Sequence, residues 1–384
     1  MAVVSGNIIS ALGGNFTAVL TSSGVLSFAL VGDALLYAVL PVHASAFGIS
    51  LVWVGILLSA NRFVRVFAYG LVAQVTEALG MRRMCMVAAC GAIASTALYG
   101  LGEGAAILLF ARILWGLSYA VLVLVTLAYA VEVRAHAGSR VGWSRSVQRI
   151  GPIVALIAGT WLTDVLGPRS VFVWLALLSA PALLLAWALP ADAAIKKLAK
   201  RPPTLGQPRS IDGLFFIQGL GVDGVFALSI TLLLAQRYSV AVAVMSGGAL
   251  LAMRHIGEAI AAPIFGAIGD RFGAARVFTV TTILTGVGFV GVACDYVLTG
   301  ALVMLVFRGA LASLGPATIV QATQARDSVM APLARMQAWR DFGAAVGPLA
   351  TGLLLATVSP QLLHGVVALL LFAGLIWWHL DTRG

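Results

Sequence analysis

Of the charged residues that stand inside otherwise apolar stretches of chain, three acids and five arginines are the candidates for chemistry. The acids are Asp33, Asp223 and Glu258, and the arginines are Arg62, Arg65, Arg112, Arg254 and Arg308. A carboxylate beside a guanidinium in a water-poor setting binds or releases a proton according to how tightly the pair is held. An excess of guanidinium can instead grip a carboxylate or phosphate on a second molecule. Arg62 and Arg65 are three apart, with Asn61 beside them. Arg254 and Glu258 are four apart, so they are expected to face the same way on a helix and to neutralise one another. Tyr37 stands one turn beyond Asp33, and Trp115 and Tyr119 follow Arg112 on the same broad face. Together they are expected to form an aromatic wall for an amphipathic ligand, the plainer alternative being packing against lipid or a neighbouring helix.

The elements that position these residues follow from composition. Of 384 residues 61% are hydrophobic and 10% charged, and the mean hydropathy is +1.02. A soluble domain cannot hide that much apolar surface. A bilayer core about 30 Å thick needs about 20 apolar residues per helical crossing. Twelve such runs are predicted, at 17–40, 51–73, 84–101, 105–131, 147–166, 170–190, 213–236, 240–267, 276–298, 300–324, 338–358 and 361–380. The expected fold class is therefore an all-α membrane protein of twelve transmembrane helices in two pseudo-symmetric six-helix bundles. At about 1.5 Å of rise per residue, Asp33 lies about 24 Å along its helix and Arg112 about 10 Å into its own from the opposite side. Both then sit in the outer half of the bilayer, which predicts an ion pair between them. Asp223, about 15 Å into its helix, is expected near the midplane.

The positions of the 24 Lys and Arg residues set the orientation. Fifteen are assigned to one side: Arg82, Arg83, Arg134, Arg140, Arg145, Lys196, Lys197, Lys200, Arg201, Arg209, Arg271, Arg276, Arg326, Arg335 and Arg383. Arg169 and Arg237 fall in loops on the other. This predicts an inner-membrane protein with both termini in the cytoplasm. The net charge of +10 is mostly an orientation signal, with attraction to lipid headgroups as its second meaning. Because the basic residues are scattered over short loops, no nucleic-acid partner is expected. The first 16 residues hold no Lys or Arg, so they lack the charged start of a cleavable signal peptide and the first helix is expected to stay. Cys85, Cys90 and Cys294 fall in apolar helices without ligand spacing and are read as packing residues, with no disulfide, no metal site and no cofactor expected.

The chain also repeats itself. A basic, proline-bearing segment divides it, giving an expected bundle at 1–190, a cytoplasmic linker at 191–211 and a second bundle at 212–384. Asp33 matches Asp223 at a separation of 190, Arg62 matches Arg254 at 192 and Glu77 matches Asp270 at 193. Arg112 then matches Arg308 at 196, Arg145 matches Arg340 at 195, and Gly151 with Pro152 matches Gly347 with Pro348 at 196. Six features in one order at nearly constant separation read as an internal duplication.

The segment Gly266-Ala-Ile-Gly-Asp270-Arg271-Phe-Gly273-Ala-Ala-Arg276 resembles the signature loop of the major facilitator superfamily. The resemblance extends over essentially the whole chain. The first-half counterpart, with Glu77, Gly80, Arg82 and Arg83, departs from that pattern by Ala73 at the first glycine, Glu for Asp and Ala78 for Arg. Physically, one glycine admits close helix approach, another a tight turn, and the acid accepts hydrogen bonds from basic side chains or a helix N-terminus. A conformational latch closing the cytoplasmic side is expected, with fixing of topology as the plainer role. Arg112, Trp115, Gly116 and Ala120 resemble a pattern of proton-coupled exporters of that superfamily. Gly151 and Pro152 are a fragment, and Gly343, Gly347, Pro348 and Gly352 a fuller version, of its antiporter glycine-proline motif. The resemblance implies a functional monomer that moves a small-molecule substrate by alternating access. Export of an amphipathic compound coupled to protons through Asp33 or Asp223 is the expected activity. The intramembrane arginines keep an uptake or exchange carrier for an organic anion as the alternative. A membrane enzyme or sensor is disfavoured because no nucleotide loop, zinc cluster or soluble domain is evident.

Overall fold

A computed structural model describes residues 15–40, 43–191, 207–238, 240–323, 328–355 and 357–382. Most of the predicted basic linker, with Lys196, Lys197, Lys200 and Arg201, lies outside the described residues, as do Arg326 and Arg383.

The described chain forms helical rods in succession: α1 Phe16–Val39, α2 Leu51–Leu79, α3 Met81–Leu101, α4 Ala105–Ala130 and α5 Ala137–Leu166. The sixth rod, α6, runs as Ser170–Leu178 and Pro181–Trp187, broken where Pro181 removes a backbone donor. The seventh, α7, runs as Ser210–Gln218, a π-helical stretch Gly219–Phe226, and Ala227–Ala235. Then follow α8 Val240–Phe272, α9 Ala274–Ala293, α10 Val297–Ala322, α11 Met330–Leu354 and α12 Pro360–Asp381. Among the described residues nine rods are long and apolar enough to cross a bilayer. The chain is a multi-pass, all-α membrane protein. Large apolar side chains face outward, among them Phe67, Phe110, Ile157, Leu353 and Leu380, as a lipid solvent allows.

Three of the rods, α5, α8 and α11, carry several charged residues inside them. They also explain where the hydropathy reading fell short. It began the fifth helix at 147 and the eleventh at 338, whereas the helices start at Ala137 and Met330. The extra turns hold Arg140, Arg145, Arg335 and neighbours, which propagate a helix well but register as breaks in an apolar run. Arg140 and Arg145, assigned to loops by their charge, are buried in α5 at 0% and 4% exposure. Arg335 reaches Asp212 Oδ2 at 2.6 Å. Arg335 therefore ties α11 to α7, and all three side chains lie within helices and do not mark a loop. The cysteine reading also needs correction: Cys85 is buried, but Cys90 and Cys294 are exposed and pack no core.

The chain divides into two compact units, one of residues 1–133 and 146–204, the other of 134–145 and 205–384. The first nine residues of α5 thus belong to the second unit and the rest of that helix to the first. Each unit has its own apolar core. In the first, Leu35, Phe47, Leu108 and Phe172 meet; in the second, Phe226, Phe289, Met304 and Leu371 do.

Candidate functional site

In the first unit the charges converge on Arg112. Its side chain is fully buried on α4. Nη1 lies 2.5 Å from Asp33 Oδ1, Nε donates to the Leu57 carbonyl at 2.9 Å, and the two remaining contacts run to Tyr99 Oη and Tyr37 Oη at 3.4 Å. Tyr37 donates in turn to the Leu58 carbonyl at 3.1 Å, and Ser95 ties Tyr99 to α4 through Ala111. The guanidinium is thereby fixed from three helices, while Asp33 keeps 15% exposure. Tyr99 and Ser95 were not read from the sequence as part of this group. A tyrosine and a serine in an apolar helix carry no pattern that marks them.

Beside this group Arg65 stacks over Tyr119 at 4.3 Å, and Trp115 lies against Tyr119 with ring centroids 5.7 Å apart. Trp115 is buried at 1% exposure, so of the predicted aromatic wall it forms the inside and not the face. Arg62 is half-buried on α2.

The second unit repeats the residue types with different partners. Asp223 pairs with Arg254 at 2.6 Å, and Arg308, the repeat-mate of Arg112, pairs with Glu258 at 2.9 Å. The expected local neutralisation of Arg254 by Glu258 is thus replaced by two pairs that cross between helices. A residue four positions away on one helix competes poorly with a partner brought alongside by packing. Asp223 sits in the π-helical stretch, where the glycines Gly219, Gly221 and Gly224 admit the widened turn. Gly224 packs on Gly347, where an added Cβ would lie 2.5 Å from backbone carbon, and Gly347 in turn faces the Leu220 backbone. The sequence reading of Gly347 and Pro348 as packing residues did not anticipate this seam against α7.

A cavity in the second unit is lined by Arg145 of α5, Gln218 of α7, Glu258 of α8, Arg308 of α10, and Gln337 and Arg340 of α11. Phe215, Ala312, Pro316 and Met336 complete its wall. Arg308, Ala312 and Pro316 recur every four residues, so one stripe of α10 faces the cavity. Gln218, Gln337 and Arg340 were not singled out from the sequence as site residues, since isolated glutamines in apolar helices give no spacing to follow.

At the signature segment the geometry is a helix cap. Asp270 lies in the last turn of α8, not in a loop, and accepts from the N–H groups of Gly138 and Ser139, both at 2.8 Å, and from Ser139 Oγ at 2.5 Å. Its carboxylate therefore sits on the positive N-terminus of α5. Gly266 lets the backbones touch, because a Cβ there would meet the Gly138 and Ser139 backbone. Gly273, at φ 94°, turns the chain between α8 and α9, as Gly80, at φ 101°, does between α2 and α3. Arg271 lies over Phe272, and Arg82 over Trp187, while Arg83 donates to the Leu79 carbonyl at 3.4 Å. Arg276 lies in the first turn of α9, exposed, and Glu77 is exposed on α2. In the first unit Gly151 donates to Ser27 Oγ at 2.8 Å beside Pro152, drawing α5 against α1.

The fold is that of the major facilitator superfamily. The human organic anion transporter MFSD10 (TETRAN) superposes with a TM-score of 0.76 at 15% identity, over 95% of this chain and 100% of that one. The fucose:proton symporter FucP of E. coli gives 0.71 at 14% identity, over 96% and 98%. The proton:xylose symporter XylE, bound to 6-bromo-6-deoxy-D-glucose, gives 0.70 at 12% identity, over 94% of each chain. No protein-family model and no curated protein matches the chain by sequence.

Proposed function

We propose that this chain is a secondary transporter that exports a small amphipathic solute by alternating access, driven by protons and acting as a monomer. It would sit in the cytoplasmic membrane with both termini inside. The observation that carries the reading is one carboxylate–guanidinium pair at the repeat-related acid of each unit, Asp33 with Arg112 and Asp223 with Arg254. Protonating either acid removes the charge that its arginine is held by, and so changes the relative free energy of conformations that keep or open the pair. Asp33 and Asp223 retain 15% and 9% exposure, which gives a proton a way in. The Asp270 cap on α5 supports a latch role for the signature segment, with Glu77, Gly80, Arg82 and Arg83 as its first-half counterpart. The test is solute-induced proton movement in proteoliposomes with imposed pH gradients. Flux indifferent to the gradient and to Asp33→Asn and Asp223→Asn overturns the proton reading.

A second reading, an organic-anion carrier, is favoured by the three arginines around the cavity of the second unit. The proteins of similar fold are described as carriers of sugars with protons and of organic anions, and the fold admits either cargo.

A further inference from the structure

We propose that the cavity of the second unit binds one ordered water, which bridges Gln218 of α7 to Gln337 of α11 and closes the seam between those two rods with a hydrogen-bonded link. The assignment is independent of what the chain carries and of how transport is driven.

The demand for a guest comes from two amides. Gln218 is 7% and Gln337 1% exposed, both line the cavity, and neither Nε2 group has a hydrogen-bond partner within the protein. Their place in the fold explains why. The rods α7 and α11 touch here by backbone: a Cβ on Gly219 would meet the Arg340 carbonyl, and one on Gly343 would meet the Phe216 carbonyl. Gln218 adjoins Gly219 and Gln337 stands one turn before Arg340, so the two amides flank one close contact. The backbone carbonyls of both rods are engaged in their own helical ladders, and Glu258, the carboxylate in the lining, is held by Arg308 at 2.9 Å. Buried amide donors of native proteins are nearly always satisfied, by the protein or by ordered water. Two unmet ones around a single space call for a shared partner.

The size of the space selects that partner. It leaves about 20 Å³ for a water-sized guest, and about 10–15 Å³ suffices for one water. Water also suits the chemistry, because it accepts from two N–H groups at once and keeps two hydrogens to donate. Glu258 supplies an acceptor for them in the same lining. Since water donates as readily as it accepts, it meets an amide turned either way, whereas an ion of one sign meets only one orientation. A bridge of this kind is nearly as favourable as a direct hydrogen bond. It joins α7 to α11 at the residue just before the π-helical stretch that carries Asp223.

The test uses the full chain in lipid nanodiscs and brief X-ray radiolysis in water labelled with heavy oxygen. Radiolysis makes hydroxyl radicals wherever water lies, and they oxidise a methionine sulfur within reach. Met336 lines the cavity, while Met304 lies in the apolar core of the same unit, and both are 0% exposed. Met336 is expected to gain oxygen about fivefold or more faster than Met304, because only the former has a water beside it. Thermal unfolding of Gln337→Leu supplies a second readout with opposite signs for the two cases. In a dry site the change removes an unmet donor and raises Tm; with the bridge in place it strands Gln218 and lowers Tm. The variant is also expected to slow labelling of Met336, and where it fails to fold, Gln218→Leu takes its place. The assignment is overturned by equal labelling of Met336 and Met304 in the unaltered protein, by a Tm unchanged or raised in the variant, or by unchanged labelling of Met336 there. None of these readouts involves flux, so failure of proton coupling and failure of this site are separate results.

Discussion

Asp33 and Arg112 meet at 2.5 Å with the arginine wholly buried and the acid still 15% exposed. The repeat-related acid is partnered differently. Asp223 pairs with Arg254, which is 22% exposed, while the repeat-mate of Arg112 goes to Glu258. The two matched acids are thus partnered in two ways, and they differ in what they leave behind when their charge is removed.

Asp33→Asn removes the counter-charge of an arginine that water cannot reach. Breaking a buried pair from one side costs about 3 kcal/mol, so a marked fall in Tm is expected for the purified protein in detergent. The double variant Asp33→Leu with Arg112→Leu removes both charges and should regain most of that stability. It should not regain gradient-driven flux. Recovery of both would reduce the pair to packing.

Asp223→Asn is expected to be milder. Arg254 has enough exposure to be solvated when its partner is neutral, so the cost falls to about 1 kcal/mol or less. Thermal unfolding of the two single variants side by side measures the difference, and a loss at Asp223 equal to that at Asp33 would contradict the burial argument.

The helices and their order could be read from apolar run lengths, because lipid imposes one length scale on every crossing. What the runs concealed was charge carried within a rod. Arg140 and Arg145 look like loop residues by hydropathy, yet they are buried in α5. The acids and arginines announced themselves by being costly in apolar surroundings, but not their partners: Glu258 follows Arg254 by one turn and bonds Arg308 across the helix interface. Spacing along one helix says which way a side chain points, not which neighbour arrives opposite it. Gln218 and Gln337 had no such signal, because an uncharged amide stands out only once its lack of a partner is seen.

Asp270 makes three hydrogen bonds to Gly138 and Ser139 at the start of α5. Asp270→Ala is expected to cost about 1–2 kcal/mol, the usual range for a lost N-terminal cap. Hydrogen exchange at the amides following Gly138 should accelerate by about tenfold or more. Asp270→Asn keeps one acceptor oxygen and should fall between. Unchanged exchange in Asp270→Ala would mean that the first turn of α5 is held by other contacts.

Gly224 and Gly347 let the π-helical stretch of α7 lie against α11 with no side chain between them. A Cβ on Gly224 would stand 2.5 Å from the Gly347 backbone, and backbone cannot rotate away as a side-chain tip can. Gly224→Ala must therefore push the rods apart or distort the turns that carry Asp223. Overpacking of this kind costs about 1–3 kcal/mol, and displacement of Asp223 would add a loss of gradient-driven flux. Gly352, further along α11, has nothing within 4 Å of its would-be Cβ. Gly352→Ala is expected to be neutral, or stabilising by about 0.5–1 kcal/mol through helix propensity. Thermal unfolding of both variants decides the matter, because equal effects at the two positions would leave close approach at Gly224 without an energetic role.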